Sequence, residues 1–170
     1  MSDFIWVEKY RPQTIDECIL PENIKKTFKD FLDKGEIPNM LLSGPPGVGK
    51  TTVAKALCNQ LGVDYYVING SDEGRFLDTV RNNAKNFAST VSLSSDSKHK
   101  VIIIDEADNT TSDVQLLLRA SIEEFANNCR FICPCCTRMI TKSTLLCFVW
   151  CAIYFMQLTI TMTPTCQSKQ

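Results

Sequence analysis

An α/β fold, with a parallel sheet held between two layers of helices, is what this sequence predicts, and three observations carry the expectation. Gly44-Pro45-Pro46-Gly47-Val48-Gly49-Lys50-Thr51 follows the apolar run Met40 to Leu42 and leads into residues 52–58, whose apolar side chains recur at helical spacing. Val101-Ile102-Ile103-Ile104 is a continuous β-branched run, the pattern of a strand buried on both faces of a parallel sheet. Around these two landmarks, strand-like and helix-like segments alternate along the chain.

Taken in order, residues Ile5 to Pro12 show no clear periodicity, and Pro12 biases Arg11 toward an extended backbone, so an irregular arm is expected. Pro21 stands at a favoured helix start and Gly35 at a favoured stop, with Ile24, Phe28, Phe31 and Leu32 forming one apolar stripe between them. Asn39 to Ser43 reads as a strand, Lys50 to Leu61 as a helix closed by Gly62, and Tyr65 to Asn69 as a second strand. After the turn cluster Gly70-Ser71-Asp72, a helix is expected from about Phe76 to Ser89, with Arg75, Arg81 and Lys85 on its basic side. The serine-rich stretch from Val91 to Lys100 suits an exposed loop, and His99, the single histidine, is expected to be solvated there. The Ile-rich strand follows. Ser112-Asp113-Val114-Gln115 then has capping-box spacing and opens a helix through Leu116, Leu117, Ile122 and Phe125, on which Arg119 and Glu123 form an ordinary surface pair. Arg130-Phe131-Ile132 looks like the start of another strand.

The 170 residues suffice for one domain with a sizeable core, and 44% hydrophobic with 22% charged residues is ordinary globular composition. A net charge of −1 hides an asymmetry, because residues 131–170 hold three basic residues and no acidic one. Six of the nine cysteines also lie beyond position 132. Residues 1–130 begin without a signal pattern and read as cytoplasmic, with reduced thiols.

Chemistry concentrates at two places. Gly44, Gly47 and Gly49 permit a backbone path along which successive N–H groups face an anion beside a helix N-terminus. Lys50 would reach the β- and γ-phosphates of a nucleotide and the Thr51 hydroxyl would sit on Mg²⁺; Pro45, Pro46, Val48 and Thr52 complete the binding segment. A plain glycine-rich turn would not need the Lys-Thr ending. Asp105 and Glu106 follow a buried strand, at the sheet edge where α/β folds place ligands. Asp105 can hold Mg²⁺ through water, and Glu106 can act as general base on the attacking water.

At these residues the sequence resembles the AAA+ sliding-clamp loaders, in particular the small clamp-loader subunits of T4-like phages and the replication factor C small subunits, over about residues 4–132. The matching blocks are Trp6 to Pro12, Gly44 to Thr51, Asn69 to Asp72 with Val80-Arg81 and Lys85 to Ala88, Ile104 to Asp108, and Gln115 with Leu118 and Arg119. The resemblance implies an α/β P-loop domain of AAA+ type and an ATPase using ATP and Mg²⁺. Its partners would be the other subunits of a ring, a sliding clamp and primer-template DNA; no membrane partner is expected. It further implies adenine contacts near Val7, Tyr10, Arg11 and Pro12, and DNA phosphate contacts from Arg75, Arg81 and Lys85. For a phage-encoded chain the location would be the host cytoplasm.

Beyond Ile132 the resemblance implies a Thr/Cys-x-Asn sensor, a Ser-Arg-Cys segment, a helical lid and a collar, whereas the sequence continues with Cys133-Pro134-Cys135-Cys136. Residues 1–132 therefore read as a partial ATP-binding domain, incomplete at its C-terminal side. Residues 133–170 read as an atypical Cys-rich apolar tail outside the family fold, from a shifted frame, an unspliced insert or a truncated gene. Ser143 to Met162, twenty residues without a charge, leave a membrane helix or core helices and strands as alternatives. Zinc binding by Cys133, Cys135 and Cys136 lacks a second ligand pair. Without sensor, arginine finger and lid, the alternative function is a nucleotide-binding module with no ATPase activity of its own.

Overall fold

The computed structural model describes residues 6–70, 85–90, 99–107, 112–136 and 156–159, without the side chains of 7, 8, 85, 112–115, 136 and 156–159. Its elements are α1 (Trp6–Lys9), α2 (Glu22–Lys34), β1 (Met40–Gly44), α3 (Lys50–Leu61), β2 (Tyr65–Asn69), α4 (Lys85–Ser89), β3 (Lys100–Asp105), α5 (Ser112–Glu124), β4 (Cys129–Cys136) and β5 (Met156–Thr159). The strands form one sheet in the order β2-β3-β4-β1-β5, and every neighbouring pair is parallel.

Strand alternation divides the core between two faces. Val101 and Ile103 of β3, with Met40, Leu42 and Ile132, pack on Ile24, Phe28 and Phe31 of α2 and on Val53, Ala54 and Leu57 of α3. Ile102 and Ile104, with Leu41, Phe131 and Cys133, pack on Ala88 of α4 and on Leu118 and Ile122 of α5. This is the three-layer sandwich that the Ile run predicts: burial on both faces of β3 requires helices on both sides. Each fully buried isoleucine contributes about 1.5–3 kcal/mol.

The helix ends follow their sequence signals. Gly35 and Gly62 adopt left-handed φ of 67° and 64° at the C-termini of α2 and α3, and each amide returns to a carbonyl of the last turn. Pro21 caps α2 from outside its first turn, its carbonyl accepting from the Lys25 amide at 2.9 Å.

The structure corrects some expectations, extends others and leaves some outside the described residues. The arm is not wholly irregular: Trp6–Lys9 makes one helical turn, closed by the Tyr10 amide on the Trp6 carbonyl. β1 begins at Met40, because the Asn39 side chain is engaged elsewhere, its Oδ1 accepting from the Phe131 amide at 2.8 Å. His99 is buried, only 5% exposed, and its Nε2 accepts from the Ile37 amide at 3.2 Å. A ring nitrogen that satisfies a buried amide has reason to leave water. Strand β4 passes Ile132 and continues to Cys136, paired with β1 as far as Gly44↔Cys136. Within the uncharged stretch, Met156–Thr159 forms a strand along β1 from Met40↔Met156 to Ser43↔Thr159. Among the described residues no helix is long and apolar enough to cross a membrane. The expected helix from Phe76 is seen only as Lys85–Ser89; Arg75, Arg81, the Lys85 side chain and the capping-box side chains lie outside the described residues.

Candidate nucleotide site

The site lies at the C-terminal ends of β1 and β3, where the chain leaves the sheet and the topology brings distant residues together. From β1 the backbone turns through Gly47 and Gly49, both left-handed with φ of 81° and 83°, into the first turn of α3. No atom stands within 4 Å of a Cβ built on either glycine, so the need for glycine is conformational. α3 begins directly after this bend, so its first free amides open onto the loop.

Lys50 Nζ donates to the carbonyls of Gly44 at 3.0 Å and Pro45 at 2.8 Å, which folds the lysine back along the loop. Thr51 Oγ1 donates to Asp105 Oδ1 at 2.7 Å, across 54 positions of sequence. The same Asp105 oxygen accepts the Glu106 amide at 3.1 Å. Glu106 has φ of 51°, among the described residues the only left-handed position that is not glycine. The strand before it is fixed from β2, since the Gly70 amide donates to the Asp105 carbonyl at 2.8 Å.

A cavity of about 370 Å³ is lined by Pro46, Gly47, Gly49, Lys50, Thr51 and Thr52, by Asp105 and Glu106, and by Pro134 and Cys135. The residues fit a nucleotide phosphate chain with a hard cation. Glycines with open space above them, a helix N-terminus and a lysine meet anion chemistry, while Thr51 and Asp105 offer two oxygens to a metal. Among the described residues no group of three or more His, Cys, Asp or Glu could hold a metal by itself.

Some expected residues stand apart from this cavity. Gly44 and Pro45 serve through their carbonyls, and Val48 packs its side chain against the core. Tyr10 is exposed and sits edge-on to Trp6 at 6.3 Å; Arg11 and Pro12 are half-buried, and none of the three lines the cavity. The side chain of Val7 lies outside the described residues. Leu118 is buried in the core, and Arg119 pairs with Glu123 at 3.6 Å.

Three contributors escaped the sequence reading: the Gly70 amide, Pro134 and Cys135. The last two follow only from the strand order, since a strand lodged between β1 and β3 must end beside the phosphate loop, and no local pattern announces that order. Burial pushes the thiols of Cys58 and Cys129 up to about 12 and also raises that of Cys18, which disfavours their reactive thiolate forms.

A phosphate loop, a Thr51–Asp105 contact and a parallel three-layer sheet together define a P-loop NTPase fold. The chain belongs to the AAA family, ATPases associated with various cellular activities, whose model matches residues 40–147. It is 45% identical over 139 residues to "Replication factor C small subunit" of Methanocella arvoryzae, which covers 79% of this chain and 42% of that protein. It is 48% identical over 133 residues to "Sliding-clamp-loader large subunit" of Enterobacteria phage T4, covering 77% of this chain and 40% of that protein. The chain thus spans about two fifths of these relatives, and the phage relative bears the name of a large subunit where the resemblance suggested a small one. Among solved structures, the RuvB Holliday junction branch migration motor of Thermotoga maritima superposes with a TM-score of 0.62 at 26% identity, over 88% of this chain and 48% of that one.

Proposed function

We propose that this chain carries the ATP-binding core of a clamp-loader subunit, which uses ATP and Mg²⁺ to place a sliding clamp on primer-template DNA within a ring of subunits. The observation that supports it most is the 2.7 Å contact of Thr51 with Asp105, which joins the phosphate loop to the acidic strand end. The similarity to proteins named as subunits of replication factor C and of a sliding-clamp loader supports a sliding clamp and other subunits as partners, and primer-template DNA enters with that reading.

In this reading Lys50 would exchange its two loop carbonyls for the β- and γ-phosphate oxygens, and Thr51 and Asp105 would hold Mg²⁺, whose chemistry there would be to neutralise charge on the phosphates. Glu106, exposed and lining the cavity, orients and polarises the attacking water. The left-handed loop amides stabilise charge on the phosphate oxygens. Arg75, Arg81 and Lys85 contact DNA phosphates, which gives affinity without reading sequence. Tyr10, Arg11, Pro12 and Val7 close over the base when the site is filled.

A second reading rests on the cavity wall supplied by β4. Pro134 and Cys135 bring neither a side-chain amide nor a charged side chain to that wall, which favours nucleotide binding without efficient turnover. An ATPase assay with purified clamp and primed DNA separates the two. Stimulated turnover that falls by about 10²-fold or more in Glu106→Gln supports the enzyme. ATP binding with no stimulated turnover in the parent chain supports the binding module.

A further inference from the structure

We propose that Pro134 is a positioning residue of the nucleotide site: it stops β4 from pairing further along β3 and so keeps open the crevice in which Asp105 and Glu106 stand. The proposal rests on reading that crevice as a nucleotide site. Strand β4 lies between β1 and β3, yet its two ladders end at different heights. Toward β1 the pairing runs from Met40↔Ile132 to Gly44↔Cys136, whereas toward β3 it stops at Ile103↔Ile132. β3 goes on to Asp105 and is held there by β2, through Asn69↔Asp105 and the Gly70 amide. From Ile104 onward, β3 is paired with β2 and parted from β4.

Proline accounts for where the two strands part. Along a strand, the N–H and C=O of one residue face the same neighbour, and alternate residues face opposite neighbours. Pro134 pairs with Leu42 but has no N–H, so that pairing is made by the amide and carbonyl of Leu42 with Cys133 and Cys135. The backbone of residue 134 consequently faces β3. The next rung beyond Ile132 would run from the amide of residue 134 to the Ile104 carbonyl, and proline cannot form it. Central strands ordinarily exclude proline, and here it sits at the height where the strands must separate. Pro134 and Cys135 then line the cavity together with Asp105 and Glu106. An added rung would draw the Asp105-Glu106 segment toward β4, away from the 2.7 Å contact with Thr51 Oγ1.

Pro134→Ala and Pro134→Val each restore the missing amide. In the full chain, NMR hydrogen exchange should find the new amide protected, and Tm should rise by about 2–4 °C. The affinity for a fluorescent ATP analogue with Mg²⁺ should fall by about fivefold or more. Stability and affinity moving in opposite directions mark a positioning role; a proline that merely supports the fold would lose both together. An unprotected amide, an unchanged affinity in both variants, or a parallel loss of stability and affinity overturns the proposal. If the parent chain binds no nucleotide, the reading of the site fails instead. Exchange at residue 134 then still decides whether the proline parts the strands, protection supporting it and free exchange refuting it.

Discussion

Thr51 and Asp105 meet at 2.7 Å because a parallel sheet brings the ends of β1 and β3 to one edge; local sequence alone does not set the distance. Both residues were legible, since Lys50-Thr51 ends a phosphate loop and Asp105-Glu106 ends a β-branched run. Gly49 was legible for the same reason, and its φ of 83° with open space around a built Cβ gives a sharp expectation. Gly49→Ala should destabilise the fold by about 1–2 kcal/mol through backbone strain alone, and Gly49→Asn should recover part of that loss, since asparagine tolerates the left-handed region. Urea unfolding of both variants checks it; equal losses would show that contact and not conformation demands glycine. Glu106 also carries a left-handed backbone, and nothing in its sequence announced it. The contacts beside it are the Gly70 amide on the Asp105 carbonyl, from just past the end of β2, and the Glu106 amide on the Asp105 carboxylate.

Among the elements, those marked by periodicity and end signals emerged as read: α2 with its Ile24-Phe28-Phe31 stripe and Gly35 stop, α3 with Gly62, and β3 with its isoleucines. The ends of the sheet strands were harder to place, because partners far along the chain set them. Asn39 belongs to the connection before β1 because its side chain serves β4, 92 positions away. The continuation of β4 through Cys133 to Cys136 could not be read from cysteine and proline, neither of which signals a strand; pairing with β1 decides it. His99 ties the start of β3 to the segment before β1, and burial, then the charge of Arg130, hold its pKa below the ordinary 6.5, with Glu36 acting weakly in the other direction. A base whose folded-state pKa is depressed takes up its proton more readily when unfolded. The contribution of His99 is therefore complete above about pH 6.5 and declines as pH falls below it. Urea unfolding at pH 7.5 and 5.5 should show a lower midpoint at pH 5.5, and His99→Gln should shrink that difference. An unchanged difference would remove His99 from the account.

At the scale of the molecule, the described residues form a five-stranded parallel sheet covered on both faces, and the candidate nucleotide site lies at one edge of that sheet. The α/β class, the layering and the phosphate loop were legible because they follow from short patterns. Strand order and the contribution of the chain beyond Ile132 were not, because they depend on which strands pair across the sheet. The presence of β5 beside β1 is the clearest instance, with four residues of an uncharged stretch joining an edge that no local pattern extends. The relatives reach well beyond the length of this chain, and the proposal asks of this domain that it bind the nucleotide. Equilibrium titration of the chain with a fluorescent ATP analogue and Mg²⁺, alongside Lys50→Ala, tests that claim most directly. The expected result is saturable, Mg²⁺-dependent binding that weakens by about tenfold or more in Lys50→Ala. Binding that is absent from the folded chain, or indifferent to both Mg²⁺ and Lys50, would contradict the account.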